Sequence, residues 1–187
     1  MTRDEALEEL KIRLTNKYML QHSIVSEAIM EEFAVYYHDD IELWGMAGLL
    51  HDIDYERTVN KPELHGALGA DILENLDIDE TIVYCVRAQN DILGIPRNRQ
   101  IDKVLYLADP ISDLIIKNAS TLESKKISEV SAEAVLKMIP EEVFFGVSGH
   151  IKKKYLEELN LSLEQFINIS IKAMQVIPKE FINAEQK

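Results

Sequence analysis

The chain has 187 residues, a length that suits one domain built around one sizeable core. Asp and Glu outnumber Lys and Arg by 33 to 20, giving a net charge of −13 with neutral histidines, so a phosphate backbone is repelled at long range and duplex nucleic acid is not an expected partner. Hydrophobic residues at 47% and charged residues at 28% fit a globular chain and exclude a disordered one.

No run approaches the ~18–20 apolar residues of a membrane span, so no membrane partner is expected. The start "MTRDEALEEL" lacks the apolar core of a secretion signal. Cys85 is the single cysteine, cannot form an intramolecular disulfide, and in "TIVYCVRA" reads as a small core residue. Together these point to a cytoplasmic protein.

In chain order, Thr2 followed by Glu5 has capping-box spacing and opens a helix near residues 4–16. Apolar residues then recur at intervals of three and four near 18–37, 41–52, 63–76 and 79–90, with Pro62 placed to start the third of these segments. The stretch "DILGIPRNRQ", residues 91–100, holds Gly94 and Pro96 and reads as a loop. A helix near 101–118 follows, in which Pro110 is expected to introduce a kink just after Asp109. Further helical segments fall near 131–139, 150–160 and 162–177, the last opened by Ser162 with Gln165, and Pro140 and Pro178 end or follow helices. Strand-like alternation is nearly absent and no repeat or linker argues for a second domain. The expectation is an all-α, single-domain bundle over 1–187, with a core about 18–118 and a C-terminal helical extension about 119–187.

Helical spacing of three, four and seven assigns each polar residue its neighbours. His22 shares a face with Val25, Ser26, Ile29 and Phe33, and His51 with Trp44, Ala47 and Gly48. His65 lies with Leu68, Gly69 and Ile72, Gln89 with Ile82 and Cys85, and Asp109 with Ile101 and Leu105. Any one of these reads as a hydrogen-bonded core residue. Five together are a candidate ligand set, and imidazole nitrogens with carboxylate oxygens suit Mn, Fe, Zn or Mg. His38 in "VYYHDDIE" and His150 after "VSG" read as helix-end or surface residues.

The order His22, then the doublet His51-Asp52 in "AGLLHDI", then Asp109 in "LYLADPI", resembles the HD superfamily of metal-dependent phosphohydrolases. "PELHGALGADIL" resembles the extra histidine-glycine segment of branches that hold two metals. "WGMAGLLHDIDYERT", "GIPR" and "LYLADPISDLI" further resemble a small, poorly characterised branch of predicted HD-superfamily hydrolases. The resemblance implies that His22, His51, Asp52 and Asp109 hold a first ion, that Asp52 bridges if two bind, and that His65 ligates the second. The family's next histidine falls in "VRAQND", where this chain has Gln89, a weaker donor, so one ion is expected and a second would be weakly held. The doublet continues "HDIDY" and places Asp54 nearby, as an outer acceptor for a ligating histidine, as a proton carrier, or as a helix-terminal surface acid.

A divalent ion lowers the pKa of its water from about 15.7 to near 7, and the resulting hydroxide can attack phosphorus. The expected substrate is therefore a nucleotide or another small phosphorylated molecule, with Asp52 and Asp109 orienting ion and water. Arg57, Lys61, Arg97, Arg99 and Lys103 lie close in sequence to the ligand segments; Arg57 and Arg97 lead as phosphate-binding candidates, followed by Lys61 and Gln89. Two other classes stay open: a degenerate module that binds metal or nucleotide without turnover, and a di-iron oxygenase, which Gln89 disfavours. The carboxy-terminal helices pack on the bundle or across a homodimer, and the run Lys152 to Lys154 reads as surface.

Overall fold

The computed structural model describes residues 1–124, 126–139 and 149–177, apart from the side chains of 149–151. Among the described residues the chain forms helices and turns, with no strand. The expected helix ends at Pro140 and Pro178, and the side chain of His150, lie outside the described residues.

Helix α1, Arg3–Arg13, opens on the reciprocal capping box of Thr2 and Glu5. Helix α2, Lys17–Tyr37, starts at the Asn16 cap and stops where His38 takes a left-handed conformation at φ 57°. Asp40 caps α3, Ile41–Leu50, and Asp79 caps α6, Glu80–Ala88. Between them lie the single turn α4, Tyr55–Thr58, a 3-10 turn at Pro62–Leu64, and α5, Ala67–Asn75. Helix α7, Gln100–Thr121, is followed by α8, Ala132–Met138, α9, Gly149–Glu158, and α10, Leu163–Met174, which opens on the Ser162–Gln165 capping box.

Helix α2 is the central element, packing along α3 and against α7 and α10. Phe33 of α2 meets Phe166 of α10 with ring centroids 4.3 Å apart, and both side chains are fully buried. Burial of each such side chain contributes on the order of 1.5–3 kcal/mol. The C-terminal helix α10 thus shares the core of the N-terminal helices. Tyr37 adds a polar tie, donating its hydroxyl to the carbonyl of Leu159 at 3.0 Å.

The approach of α3 to α2 depends on glycine. A Cβ on Gly48 would lie 2.5 Å from the Ser26 carbonyl oxygen and 2.9 Å from Glu27 Cα, both backbone atoms. Gly48 costs ~1 kcal/mol of helix propensity relative to alanine, and the close helix contact offsets it. Because Ser26 is one turn past His22, and His51 nearly one turn past Gly48, this contact sets the two histidines side by side.

Two expected boundaries shift. The segment 63–76 is not one helix: it breaks at His65, which is extended, and at Gly66, whose φ is +77°. The break is held by Asp54, whose Oδ2 accepts from the Gly66 and Gly69 amides at 2.9 and 2.8 Å and so occupies the N-terminus of α5. The segment 41–52 ends at Leu50, with His51 to Asp54 forming a tight turn. Helix α7 runs through Pro110 as one element.

Candidate metal centre

The donors converge from three elements. Helix α2 supplies His22, the turn after α3 supplies His51 and Asp52, and α7 supplies Asp109. His22 Nε2 lies 3.2 Å from His51 Nε2, 3.1 Å from Asp109 Oδ1 and 3.8 Å from Asp52 Oδ2. His51 Nε2 is 3.4 Å from Asp52 Oδ2 and 4.0 Å from Asp109 Oδ1. Donors at ~2.0–2.2 Å from one divalent ion stand ~3.0–3.6 Å apart in octahedral to tetrahedral arrangements. The separations of 3.1, 3.2 and 3.4 Å fall in that range, while 3.8 Å from Asp52 to His22 and 4.0 Å from Asp109 to His51 lie just beyond it and would close slightly around a shared ion.

Protons make the same case. His51 Nδ1 donates to the Gly48 carbonyl at 2.8 Å, which leaves Nε2 of a neutral ring as a lone pair aimed at the cluster. His22 Nδ1 faces Asp113 Oδ1 at 3.2 Å, and a neutral ring that donates there turns its Nε2 lone pair to the cluster in the same way. Two imidazole lone pairs and two carboxylates thus share one small volume. Such a set needs a cation, either a proton or a metal ion.

The sequence model of the HD domain matches residues 19–125. The chain belongs to the HD domain family. HD domains form a superfamily of metal-dependent phosphohydrolases, and His22, His51 and Asp52 form a group that could hold a metal ion. The chain is also 30% identical over 128 residues to an uncharacterized protein of Methanocaldococcus jannaschii, a match covering 64% of this chain and 73% of the relative. No solved structure matches the chain.

In this HD domain His65 faces Asp52 from the other side: its Nε2 is 3.4 Å from Asp52 Oδ1, while its Nδ1 is 2.9 Å from Asp54 Oδ1. The two oxygens of Asp52 therefore look toward different histidines. Asp54 itself is fully buried and accepts from His65 and two backbone amides, so it has no open edge on the cleft. Of the readings open to Asp54, the geometry agrees with the acceptor for His65, and full burial corrects the helix-terminal surface acid.

A cleft of about 420 Å³ opens over the donors, lined by His22, Asp52, His65, Asp109 and Asp113, with Tyr18, Tyr55 and Val59 on its wall. The expected phosphate-binding residues lie elsewhere. Arg57 and Lys61 are exposed and do not line the cleft. Arg97 is buried, paired with Asp91 at 2.9 Å and laid over the Tyr106 ring at 3.7 Å, so its guanidinium is committed inside the fold. Gln89 turns its Nε2 onto the His51 carbonyl at 2.7 Å and anchors the doublet. Lys152 is buried beside the same Tyr106 ring, not on the surface. No Arg or Lys lines the cleft among the described residues.

Sequence reasoning missed Asp113 and Tyr18. Both stand one helical turn from an expected ligand, Asp113 four residues after Asp109 and Tyr18 four before His22, so helical spacing was the available signal.

Burial opposes charge on His22, but its hydrogen bonds to Asp109 and Asp113 outweigh it and hold its pKa well above the usual histidine value. His65 moves the same way: burial lowers its pKa, while Asp54 and Asp52 raise it further. Partial desolvation by the surrounding protein raises Asp109, whose side chain is half exposed, and the His22 contact more than reverses this, leaving it below the usual carboxylate range. In the absence of metal, protons therefore compete for the ligand positions. Cys85 is buried with its thiol pKa raised well above the usual value, mainly by desolvation, which fits an inert core residue.

Proposed function

We propose that this HD domain is a metal-dependent phosphohydrolase acting on a nucleotide or another small phosphate ester. The observation that carries the reading is the meeting of His22 Nε2, His51 Nε2, Asp52 Oδ2 and Asp109 Oδ1 beneath an open cleft.

His22, His51, Asp52 and Asp109 would hold one divalent ion, Mn, Fe, Zn or Mg. When bound, that ion supplies Lewis acidity and a water acidified to near neutral pKa for attack on phosphorus. His51 keeps its ligating edge forward through the Gly48 carbonyl, and Gln89 fixes the backbone of the doublet from behind. Asp52 and half-exposed Asp109 reach the cleft as carboxylates able to orient a water molecule or accept its proton. Tyr18, Tyr55 and Val59 offer an apolar and aromatic wall on which a flat ring can rest.

His65 and the second oxygen of Asp52 would give a further ion two protein ligands. Gln89 is committed to the His51 carbonyl, so that position would be held more weakly.

The test is elemental analysis of untagged protein purified without added metal, followed by assays on phosphate esters with and without His51→Ala. Near one equivalent of Mn, Fe or Zn, with hydrolysis abolished in the variant, supports the reading. A protein that also binds no added divalent ion sinks it.

A further inference from the structure

Asp113 lies on α7 one turn beyond Asp109, and Tyr18 lies on α2 one turn before His22. The crossing of the two helices joins these outer residues. Tyr18 donates its hydroxyl to Asp113 Oδ1 at 2.6 Å, and the same oxygen stands 3.2 Å from His22 Nδ1. The Tyr18 ring stacks on the His22 ring at 20° with centroids 6.5 Å apart.

His22 Nδ1 also approaches Ser112 Oγ at 3.4 Å, but that hydroxyl donates instead to the Asp109 carbonyl at 2.7 Å. The charged oxygen of Asp113 is therefore the stronger acceptor. Half of the Asp113 side chain is exposed to the cleft, so an untethered carboxylate there would turn freely into water. Tyr18 prevents that. The two imidazole nitrogens point in diverging directions, which places Asp113 on the ring edge opposite the donor cluster, outside the reach of an ion on Nε2.

Resting on the metal-centre reading above, we propose that Asp113 is a positioning residue of this centre and that Tyr18 holds it in place. Asp113 selects the His22 tautomer with hydrogen on Nδ1 and fixes the ring plane, so that the Nε2 lone pair meets His51, Asp52 and Asp109. Loss of such an acceptor costs about 10- to 100-fold in metal affinity.

The experiment uses the full chain stripped of metal, titrated with Co(II) by calorimetry and visible absorption, with melting of the metal-free protein as control. Asp113→Ala is expected to bind Co(II) about 10- to 100-fold more weakly, with an altered absorption envelope and an unchanged metal-free melting midpoint. Asp113→Asn, which keeps a carbonyl oxygen for His22, recovers most of the loss; Tyr18→Phe, which removes only the tether, loses less than Asp113→Ala. Wild-type affinity and an unchanged spectrum in Asp113→Ala overturn the assignment and leave the centre standing. Affinity lost only in step with the metal-free melting midpoint assigns Asp113 a structural role and also overturns it. A wild-type chain that binds no Co(II) overturns the metal-centre reading itself.

Discussion

His22 Nε2 and His51 Nε2 lie 3.2 Å apart, and neutral rings that each donate on the far side, His51 to the Gly48 carbonyl and His22 to Asp113, have no proton for one another. Two lone pairs at that distance repel unless a cation lies between or beside them. The stripped protein can place a proton on His22, and a metal ion can replace it.

That exchange sets a pH dependence. The folded-state pKa of His22 stands above its unfolded value of about 6.5, so its contribution to stability is complete below that pH and is lost as pH rises through the raised value. Asp109 runs oppositely: its folded pKa is lowered, so its contribution holds above about pH 3.9 and is lost as pH falls through the lowered value. Stripped protein should therefore weaken on the alkaline side, where added metal takes over. The rise in melting temperature on adding Mn(II) or Zn(II) is expected to be larger at about pH 9 than at about pH 6. An equal rise at both would show that no proton is displaced from these ligands.

Removal of a single ligand should act on metal content before it acts on the fold. His51→Ala and Asp52→Ala are each expected to lower bound metal well below that of wild type, measured per chain by elemental analysis. Unchanged metal content in both would mean that the doublet is not the ligand pair.

Gly48→Ala tests the helix contact that places the histidines. The new methyl gains ~1 kcal/mol of helix propensity but meets backbone atoms of α2 at 2.5–2.9 Å, and overpacking of that kind costs ~1–3 kcal/mol, so the clash wins. Chemical denaturation should show a lower midpoint, and metal affinity should fall with it. A variant more stable than wild type would show that α2 and α3 adjust without cost.

Asp54→Ala removes the acceptor of two backbone amides and of His65 at a fully buried site. Unpaired buried donors of this kind together cost on the order of 3–5 kcal/mol. Equilibrium unfolding should register most of that loss. A change below ~1 kcal/mol would mean that water replaces the carboxylate.

Gln89→Ala separates anchoring from ligation. The lost hydrogen bond to the His51 carbonyl is worth ~1 kcal/mol, and the first ion should bind more weakly as the doublet loosens. Full metal affinity in this variant would show that the turn holds its shape without Gln89.

Helical periodicity and capping pairs made the all-α class and most helix segments legible in the sequence, because both signals act within a turn or two of chain. The faces assigned to His22 and His51 were local patterns as well. The second histidine segment was not: His65 leaves the helix because Asp54, 11 residues earlier, pins the start of α5, and periodicity cannot report an acceptor brought in from another element. Arg97 looked free to grip phosphate until folding set Asp91 and Tyr106 against it. The HD order of ligands was thus written in the chain. Which polar groups face the donor cluster, which face each other, and which are consumed inside the fold depended on how helices cross, since hydrogen bonds and charge pairing act through space and not along the sequence.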